Sequence, residues 1–487
     1  MKPRKLRAAL ALGAATLAVG ALAPAAAASP AGIVWESCPT GSPGGYDCGR
    51  LDVPLSYQDP SAGTVSVAIG RLPATDQAHK LGTVFYNPGG PGSSGRFAPA
   101  LTPELHRRFD IVGIDPRGVG ASAKIHCFTD PSQLEVLQRA LGTFPLTPAA
   151  EQQQIADTKT VTDLCEQNAG PLANHLSTGT IARDLDRLRA AFGEAKLRYY
   201  GKSYGTYIGE TYANLFPGRV GTLALDAVDD PSRWATGAGP MSYRLAGYVD
   251  GPRALQSFLD ACAARCAFDY SAILDRLETG PITVTDTSGK QGVVTYQNAI
   301  AQIHNYLTDA QAAPQLAAFL QALADPASRA PVVAGGPPDV DSLLGGGATL
   351  CSDAANPRDP AVWAGYAQAA NRIGRGFGPY DVYKTLPCAT WDVSDTGRYT
   401  GPWNRPTAPI LLLANGQGDL ETPYDGAQRT EKLLANARLL TLDTYGHGSR
   451  GKSACVDKSL DRYFLTGSVP APGTVCAPDR GPFDSAR

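Results

Sequence analysis

The pentapeptide Gly201-Lys202-Ser203-Tyr204-Gly205 follows the apolar run Leu197-Arg198-Tyr199-Tyr200 and opens a helical stretch. A serine held on a tight strand-to-helix turn needs small flanking residues, because the turn is strained and the backbone must approach closely. The amino end of the helix that follows favours negative charge developing beside the hydroxyl. These are the requirements of a serine nucleophile. In a chain with 53 glycines the bare pattern also arises by chance, and a packing turn is the other reading. The strand before it and the helix after it tell the two apart.

A serine nucleophile needs a base. Only His304 and His447 follow Ser203 in the chain. His304 sits in a helical pattern and reads as a structural histidine, at the surface or partly buried. His447 lies in Tyr445-Gly446-His447-Gly448, just after the last strand, where a loop can present its imidazole; a plain turn histidine is the bland alternative. The acid is expected after the strand at 410–414, in Asn415-Gly416-Gln417-Gly418-Asp419. There Asp419 would hold the imidazole tautomer and stabilise the imidazolium. Glu421 is the rival acid, Asp425 a weaker one, and a helix cap the structural alternative for Asp419. The order serine, acid, histidine is that of the α/β-hydrolase arrangement.

The oxyanion formed on attack needs preorganised N–H donors. One is the N–H of Tyr204, next to the nucleophile. The other is expected in the loop Asn87-Pro88-Gly89-Gly90-Pro91-Gly92-Ser93-Ser94-Gly95, after the strand at 83–86. Pro88 and Pro91 have no N–H, so Gly90 is chosen and Gly92 held in reserve. A simple Gly/Pro turn would have the same composition.

Positioning these groups takes a large core. The chain has 487 residues, 43% of them hydrophobic, with 43 Lys+Arg against 45 Asp+Glu. That length implies two domains or one domain with an insertion, and the hydrophobic content excludes a disordered chain. A net charge of −2 argues against nucleic acid as the main partner. No repeat of solenoid length is visible. From 51 to 225, short apolar runs alternate with amphipathic stretches. Strands are expected at 64–71, 82–87, 110–115, 197–201 and 220–226, and helices at 177–192 and 204–215. The pattern returns with strands at 409–415 and 438–443 and helices at 424–435 and after Ser453. It implies a mostly parallel sheet flanked by helices, an α/β fold. Between 232 and 405 helices dominate (254–264, 297–307 and 310–324), with a hairpin at 282–296 turning at Ser288-Gly289. The Gly/Pro-rich stretch 331–347 reads as a loop. This middle segment is taken as an insertion over the carboxyl ends of the strands, where ligands bind. The organisation is then 1–28 leader, 29–231 and 406–487 core, and 232–405 cap.

Lys2, Arg4, Lys5 and Arg7 precede an apolar stretch at 8–22 and the small residues Ala25-Ala26-Ala27-Ala28. This is the pattern of a cleaved secretory signal; the apolar run is short of the roughly 20 residues that span a membrane. The product is expected to be secreted, with no membrane association after cleavage. Cys38, Cys48, Cys127, Cys165, Cys262, Cys266, Cys351, Cys388, Cys455 and Cys476 make an even set, favouring disulfides in an exported chain. Pairing in sequence order is the simplest arrangement. No metal site is expected, because Cys262 and Cys266 have no second such pair nearby.

Taken together, residues 87–95, Asp115-Pro116-Arg117-Gly118-Val119-Gly120-Ala121-Ser122, Gly201–Gly205 with Thr206-Tyr207, Asp419 with Thr422-Pro423, and Gly446-His447-Gly448 resemble the secreted tripeptidyl aminopeptidases. These are α/β-hydrolase relatives of the prolyl aminopeptidases. Ala348-Thr349-Leu350-Cys351-Ser352-Asp353 looks like the family's cysteine-plus-aspartate segment. The resemblance covers nearly all of the chain past the leader. It implies a helical cap, no cofactor, and release of short peptides, tripeptides above all, from substrates with a free amino terminus. Two features depart from it: Asn87-Pro88 stands where the prolyl relatives carry histidine, and Glu421 stands where a neutral residue is expected. An aminopeptidase must also hold an ammonium group, for which a buried carboxylate is the physical answer. Asp353 and Glu210 are the candidates, with Asp229 beside them, although each could be an ordinary carboxylate facing water. A monomer is expected. An esterase or lipase using the same triad, and a catalytically silent hydrolase fold that binds a partner, are the alternative functions.

Overall fold

Apolar runs too short for helices, bounded by glycine, proline or charged residues, build the centre of the molecule. The computed structural model describes residues 32–141, 144–325, 327–330 and 339–484; the leader at 1–28 lies outside them. The strands are β1 (Ile33–Glu36), β2 (Asp47–Pro54), β3 (Thr64–Leu72), β4 (Gly82–Asn87), β5 (Phe109–Ile114), β6 (Leu197–Lys202), β7 (Val220–Asp226), β8 (Ile282–Asp286), β9 (Gln291–Val294), β10 (Arg329–Ala330), β11 (Ile410–Asn415), β12 (Ala437–Leu442) and β13 (Val475–Cys476). Ten of them form one sheet in the order β1-β2-β3-β5-β4-β6-β7-β11-β12-β13. Pairing is antiparallel from β1 through β3 to β5 and parallel across the rest. This is an α/β-hydrolase sheet. The strands expected from sequence fall on β3 to β7, β11 and β12. β1, β2 and β13 carry weaker signals, being short or interrupted by charged residues.

β5 and β11 are buried along their whole length because helices cover both faces of the sheet. Side chains alternate between two cores, as strand geometry requires. Tyr199, Leu223 and Leu412 pack on one face with Ile181 and Tyr207 from the helices Thr178–Ala191 and Tyr204–Leu215. Tyr200, Ala224 and Leu411 pack on the other with Leu460 and Tyr463 from the helix Ala454–Thr466. The ten cysteines pair in sequence order: 38–48, 127–165, 262–266, 351–388 and 455–476.

Between β7 and β11 the chain is mostly helical and carries the small sheet β10-β8-β9. The β8–β9 turn forms because Asp286 Oδ1 accepts the N–H groups of Ser288 and Lys290. The helix Pro148–Asn168, which precedes β6, joins this region through Val161 and Cys165 beside Leu344 and Trp391.

The loop expected at 331–347 requires correction. Residues 331–338 lie outside the described residues, but Val340–Asp353 is a helix, capped by Asp339 Oδ1 accepting from Ser342 N–H. Glycine disfavours a helix by about 1 kcal/mol per residue, which is why local propensity misleads here. Packing outweighs that cost. A Cβ on Gly345 would lie 2.1 Å from the Gly118 carbonyl oxygen, and one on Gly346 would lie 2.3 Å from that of Pro91. The glycine face lets the helix rest directly on the backbone of two loops.

His304 is more deeply placed than expected, at 1% exposure. Its ring lies 4.8 Å from that of Tyr380, and Nε2 is 3.5 Å from the Glu421 carboxylate. Burial, with the Lys384 ammonium nearby, lowers its pKa to about 3 and keeps the ring neutral.

Two measurements check these statements. Gly345→Ala should destabilise the protein by about 1–3 kcal/mol, read as a lower Tm. Gly347→Ala, whose nearest contact would be 3.4 Å from the Trp391 ring, should instead raise Tm slightly, by the equivalent of up to about 1 kcal/mol of helix propensity. Because His304 binds its proton more weakly folded than unfolded, its contribution to stability falls as pH drops from 6.5 towards 3. Denaturant titrations of wild type and His304→Gln should therefore shift in favour of the variant by about 1.4 kcal/mol per pH unit below 6.5. A constant difference between pH 7.5 and 5 would show that the folded protein protonates this ring.

Candidate functional site

Ser203 sits between β6 and the helix Tyr204–Leu215 with φ 56°, a region that L residues rarely occupy. Its neighbours explain how the turn is tolerated. A Cβ on Gly201 would lie 2.3 Å from the Gly205 carbonyl oxygen, and one on Gly205 would lie 2.7 Å from that of Asn87. The turn is pinned by Ser203 N–H donating to the Asp226 carbonyl at 2.9 Å and by Thr206 N–H donating to the Ser203 carbonyl at 2.7 Å.

The loop after β4 lies directly against this turn. A Cβ on Gly89 would lie 2.7 Å from Ser203 Cβ. Asn87 Oδ1 accepts Gly89 N–H, while Asp115 Oδ1 accepts Ser94 Oγ, Gly95 N–H and Arg96 N–H. Gly90 borders the same cavity as Ser203 and Tyr204, whereas Gly92 packs on the helix Val340–Asp353. Among the described residues, the N–H groups of Gly90 and Tyr204 have no acceptor.

His447 Nδ1 lies 3.0 and 3.1 Å from the two Asp419 carboxylate oxygens. Asp419 is 1% exposed and also accepts Glu421 N–H, Thr422 N–H and Thr422 Oγ1. The histidine loop is fixed from three directions. Asn415 Nδ2 donates to the Gly446 and Gly448 carbonyls, His447 N–H donates to the Thr308 carbonyl at 2.7 Å, and the Asp226 carboxylate accepts Ser449 and Arg450 N–H. A Cβ on Gly448 would lie 2.6 Å from Lys202 Cε, so this loop abuts the residue before Ser203. The geometry pairs Asp419 with His447; among the described residues it shows no hydrogen bond from Ser203 Oγ. The rival acids lie elsewhere, Glu421 on Lys384 at 3.3 Å and Asp425 on Arg429 at 2.6 Å.

Ser203 opens on a cavity of about 140 Å³. Trp234, Met241, Leu245 and Leu350 form an apolar wall; Asp229, Asp381, Lys384 and Glu421 form a charged one. Burial raises Asp381 to about 6, with the Lys384 ammonium 3.0 Å away opposing the rise.

The carboxylates expected to hold an ammonium distribute differently from the sequence reading. Asp353 does not border the cavity; it accepts Thr178 N–H at 2.7 Å and Thr178 Oγ1 at 2.5 Å, and burial raises it to about 7 against those bonds. Glu210 is fully buried and does not border the cavity, and neither of its oxygens is bonded. Asp229 borders the cavity. Lys384 and Asp381 carry no local sequence signal and become visible only through their contacts. Among the described residues, no cluster of three or more His, Cys, Asp or Glu could hold a metal ion, and no helix is long and apolar enough to cross a membrane.

Residues 82–268 match the family described as alpha/beta hydrolase fold, and residues 374–476 match TAP-like protein. The chain is 31% identical over 507 residues to a tripeptidyl aminopeptidase of Streptomyces coelicolor, covering 95% of this chain and 89% of that one. It is 28% identical over 494 residues to the serine protease Hip1 of Mycobacterium tuberculosis, covering 91% of each. It is 27% identical over 470 residues to a carboxylesterase B of the same organism, covering 88% of this chain and 86% of that one. With the Ser203 turn, the Asp419–His447 pair and this likeness along nearly the whole chain, the protein belongs to the tripeptidyl aminopeptidase family of serine peptidases, built on the α/β-hydrolase fold.

Proposed function

We propose that this protein is a secreted serine exopeptidase that releases short peptides, chiefly tripeptides, from free amino ends through an acyl-enzyme. The observation that carries this reading is the Asp419–His447 pair beside a serine on a strained turn. With Nδ1 held by Asp419, Nε2 is the nitrogen left to serve Ser203. Ser203 Oγ attacks the scissile carbonyl while His447 takes its proton. The tetrahedral oxyanion is held by the N–H groups of Tyr204 and Gly90, which have no acceptor among the described residues. His447 then protonates the departing amine, leaving the acyl group on Ser203. Water, deprotonated by the same histidine, clears the ester.

The segment 232–405 acts as a cap. Its Trp234, Met241, Leu350 and Lys384 border the cavity, a location suited to admitting a short peptide end and excluding a folded chain. Export is supported by the basic-then-apolar start and by the five disulfides. The carboxylesterase B relative favours a second reading, in which the same groups cleave esters.

Ser203→Ala should abolish turnover and fluorophosphonate labelling without changing Tm, and Asp419→Asn should lower kcat by about 10⁴. Wild-type turnover in Ser203→Ala would sink the assignment. A panel of aminoacyl, dipeptidyl and tripeptidyl amides beside short-chain esters, each with free and acetylated amino ends, tests the substrate class. We expect fastest cleavage of free-amine tripeptidyl amides; activity confined to esters would replace this reading with the second one.

A further inference from the structure

Asp229 borders the cavity that holds Ser203 and Tyr204, yet it is 4% exposed and its Oδ2 has no hydrogen-bond partner. Its backbone is tied on both sides. The N–H donates to Thr206 Oγ1 at 2.9 Å, and the carbonyl accepts Thr430 Oγ1 at 3.1 Å. The backbone that carries this carboxyl is therefore held in place. Glu210, on the helix that begins after Ser203, is near enough for the two negative charges to oppose each other, and it too has no partner for either oxygen. Burial, then the negative charges of Asp419, Glu421 and Asp230, push the Asp229 carboxyl well above its ordinary range; burial and Asp229 do the same to Glu210.

The cations in the neighbourhood are already engaged. Lys384 lies 3.0 Å from Asp381 and 3.3 Å from Glu421, and Arg429 lies 2.7 Å from Asp230. A buried carboxyl without a partner is favoured in its protonated form, and a cation that reaches it restores the charged form by pairing with it. The remaining open approach to Asp229 is the cavity, whose adjoining wall is apolar through Trp234, Met241 and Leu245. A ligand that fits both is a cation carried on a peptide or alkyl body.

We propose that Asp229, backed by Glu210, is the subsite for a primary ammonium on the acyl side of the scissile bond. This rests on the peptidase reading above and moves the ammonium site away from Asp353. Two groups supply that chemistry: the α-ammonium of the substrate, or the side chain of a lysine just before the scissile bond. In either case the ammonium donates to the carboxylate of Asp229 on its cavity side, and the acyl chain lies along the apolar wall.

The test uses the full-length enzyme and four tripeptidyl 4-nitroanilides, with a free or acetylated α-amine combined with lysine or norleucine before the scissile bond. Each enzyme is scored by the ratio of kcat/KM between paired substrates, so any general loss of activity cancels. Wild type should favour the charged member of one pair by about 100-fold, and Asp229→Asn should bring that ratio to near one. Collapse of the free-to-acetylated ratio identifies the α-ammonium; collapse of the lysine-to-norleucine ratio identifies the side chain. Ratios near one in wild type, or unchanged in Asp229→Asn, overturn the proposal. If that variant does not fold, wild-type hydrolysis of a fluorogenic acetate ester in the presence of butylammonium or 1-butanol decides. Competitive inhibition at least 10-fold stronger by the ammonium supports the subsite, and equal inhibition overturns it. Loss of all four amide activities with ester hydrolysis intact would defeat the peptidase reading alone, and the butylammonium measurement would still judge Asp229.

Discussion

Three stretches of backbone from distant parts of the chain press together at the carboxyl edge of the parallel sheet, and the site depends on that contact. The loop after β4 touches the Ser203 turn at Gly89, the turn touches that loop again at Gly205, and the histidine loop touches Lys202 at Gly448. The contacts at Gly89 and Gly205 are with backbone and leave no space for a side chain, whereas Gly448 meets the movable end of the Lys202 side chain. The strain of Ser203 at φ 56° costs roughly 1–3 kcal/mol and persists because β6 and its helix are clamped on both sides. β4, β6, β7, β11 and β12 run parallel, so their carboxyl ends deliver these loops to a single edge.

Buried carboxylates do the fastening. Asp115 ties the glycine loop to residues 115–122, and Asp226 ties the end of β7 to the histidine loop; each is surrounded by N–H and O–H donors. Several donors converging on one carboxylate fix it from more than one side and make it a rigid joint. Asp229 and Glu210 are equally buried but lack such donors. A carboxyl thus serves as a joint in one place and stands unpartnered in another, and the difference lies in the atoms around it.

The segment between β7 and β11 is bonded directly to the site. Its Thr308 carbonyl accepts the His447 N–H, and Asp309 bridges to Gly446, so the histidine loop is bonded to the segment above it. The helix Val340–Asp353 rests on the backbone beside Gly90 and Gly118. Lys384, brought from this segment, occupies Glu421, the carboxylate closest in sequence to Asp419. That pairing removes a competitor for the imidazole.

Much of this was legible in the chain. Alternation of short apolar runs with amphipathic stretches pointed to the sheet, and glycines around Ser203 pointed to the turn, because propensity and periodicity are properties of short windows. The order of Ser203, Asp419 and His447 was read from their places after the strands now seen as β6, β11 and β12. The helix at Val340–Asp353 was hidden, since local glycine content argued for a loop while a contact with residues more than 200 positions away stabilised a helix. The depth of His304, the Lys384–Glu421 pair and the exposure of Asp229 rather than Asp353 to the cavity were likewise beyond the sequence. Burial and charge pairing are set by atoms that meet only after folding; the linear order carries which groups exist, and tertiary packing decides which of them remain unsatisfied.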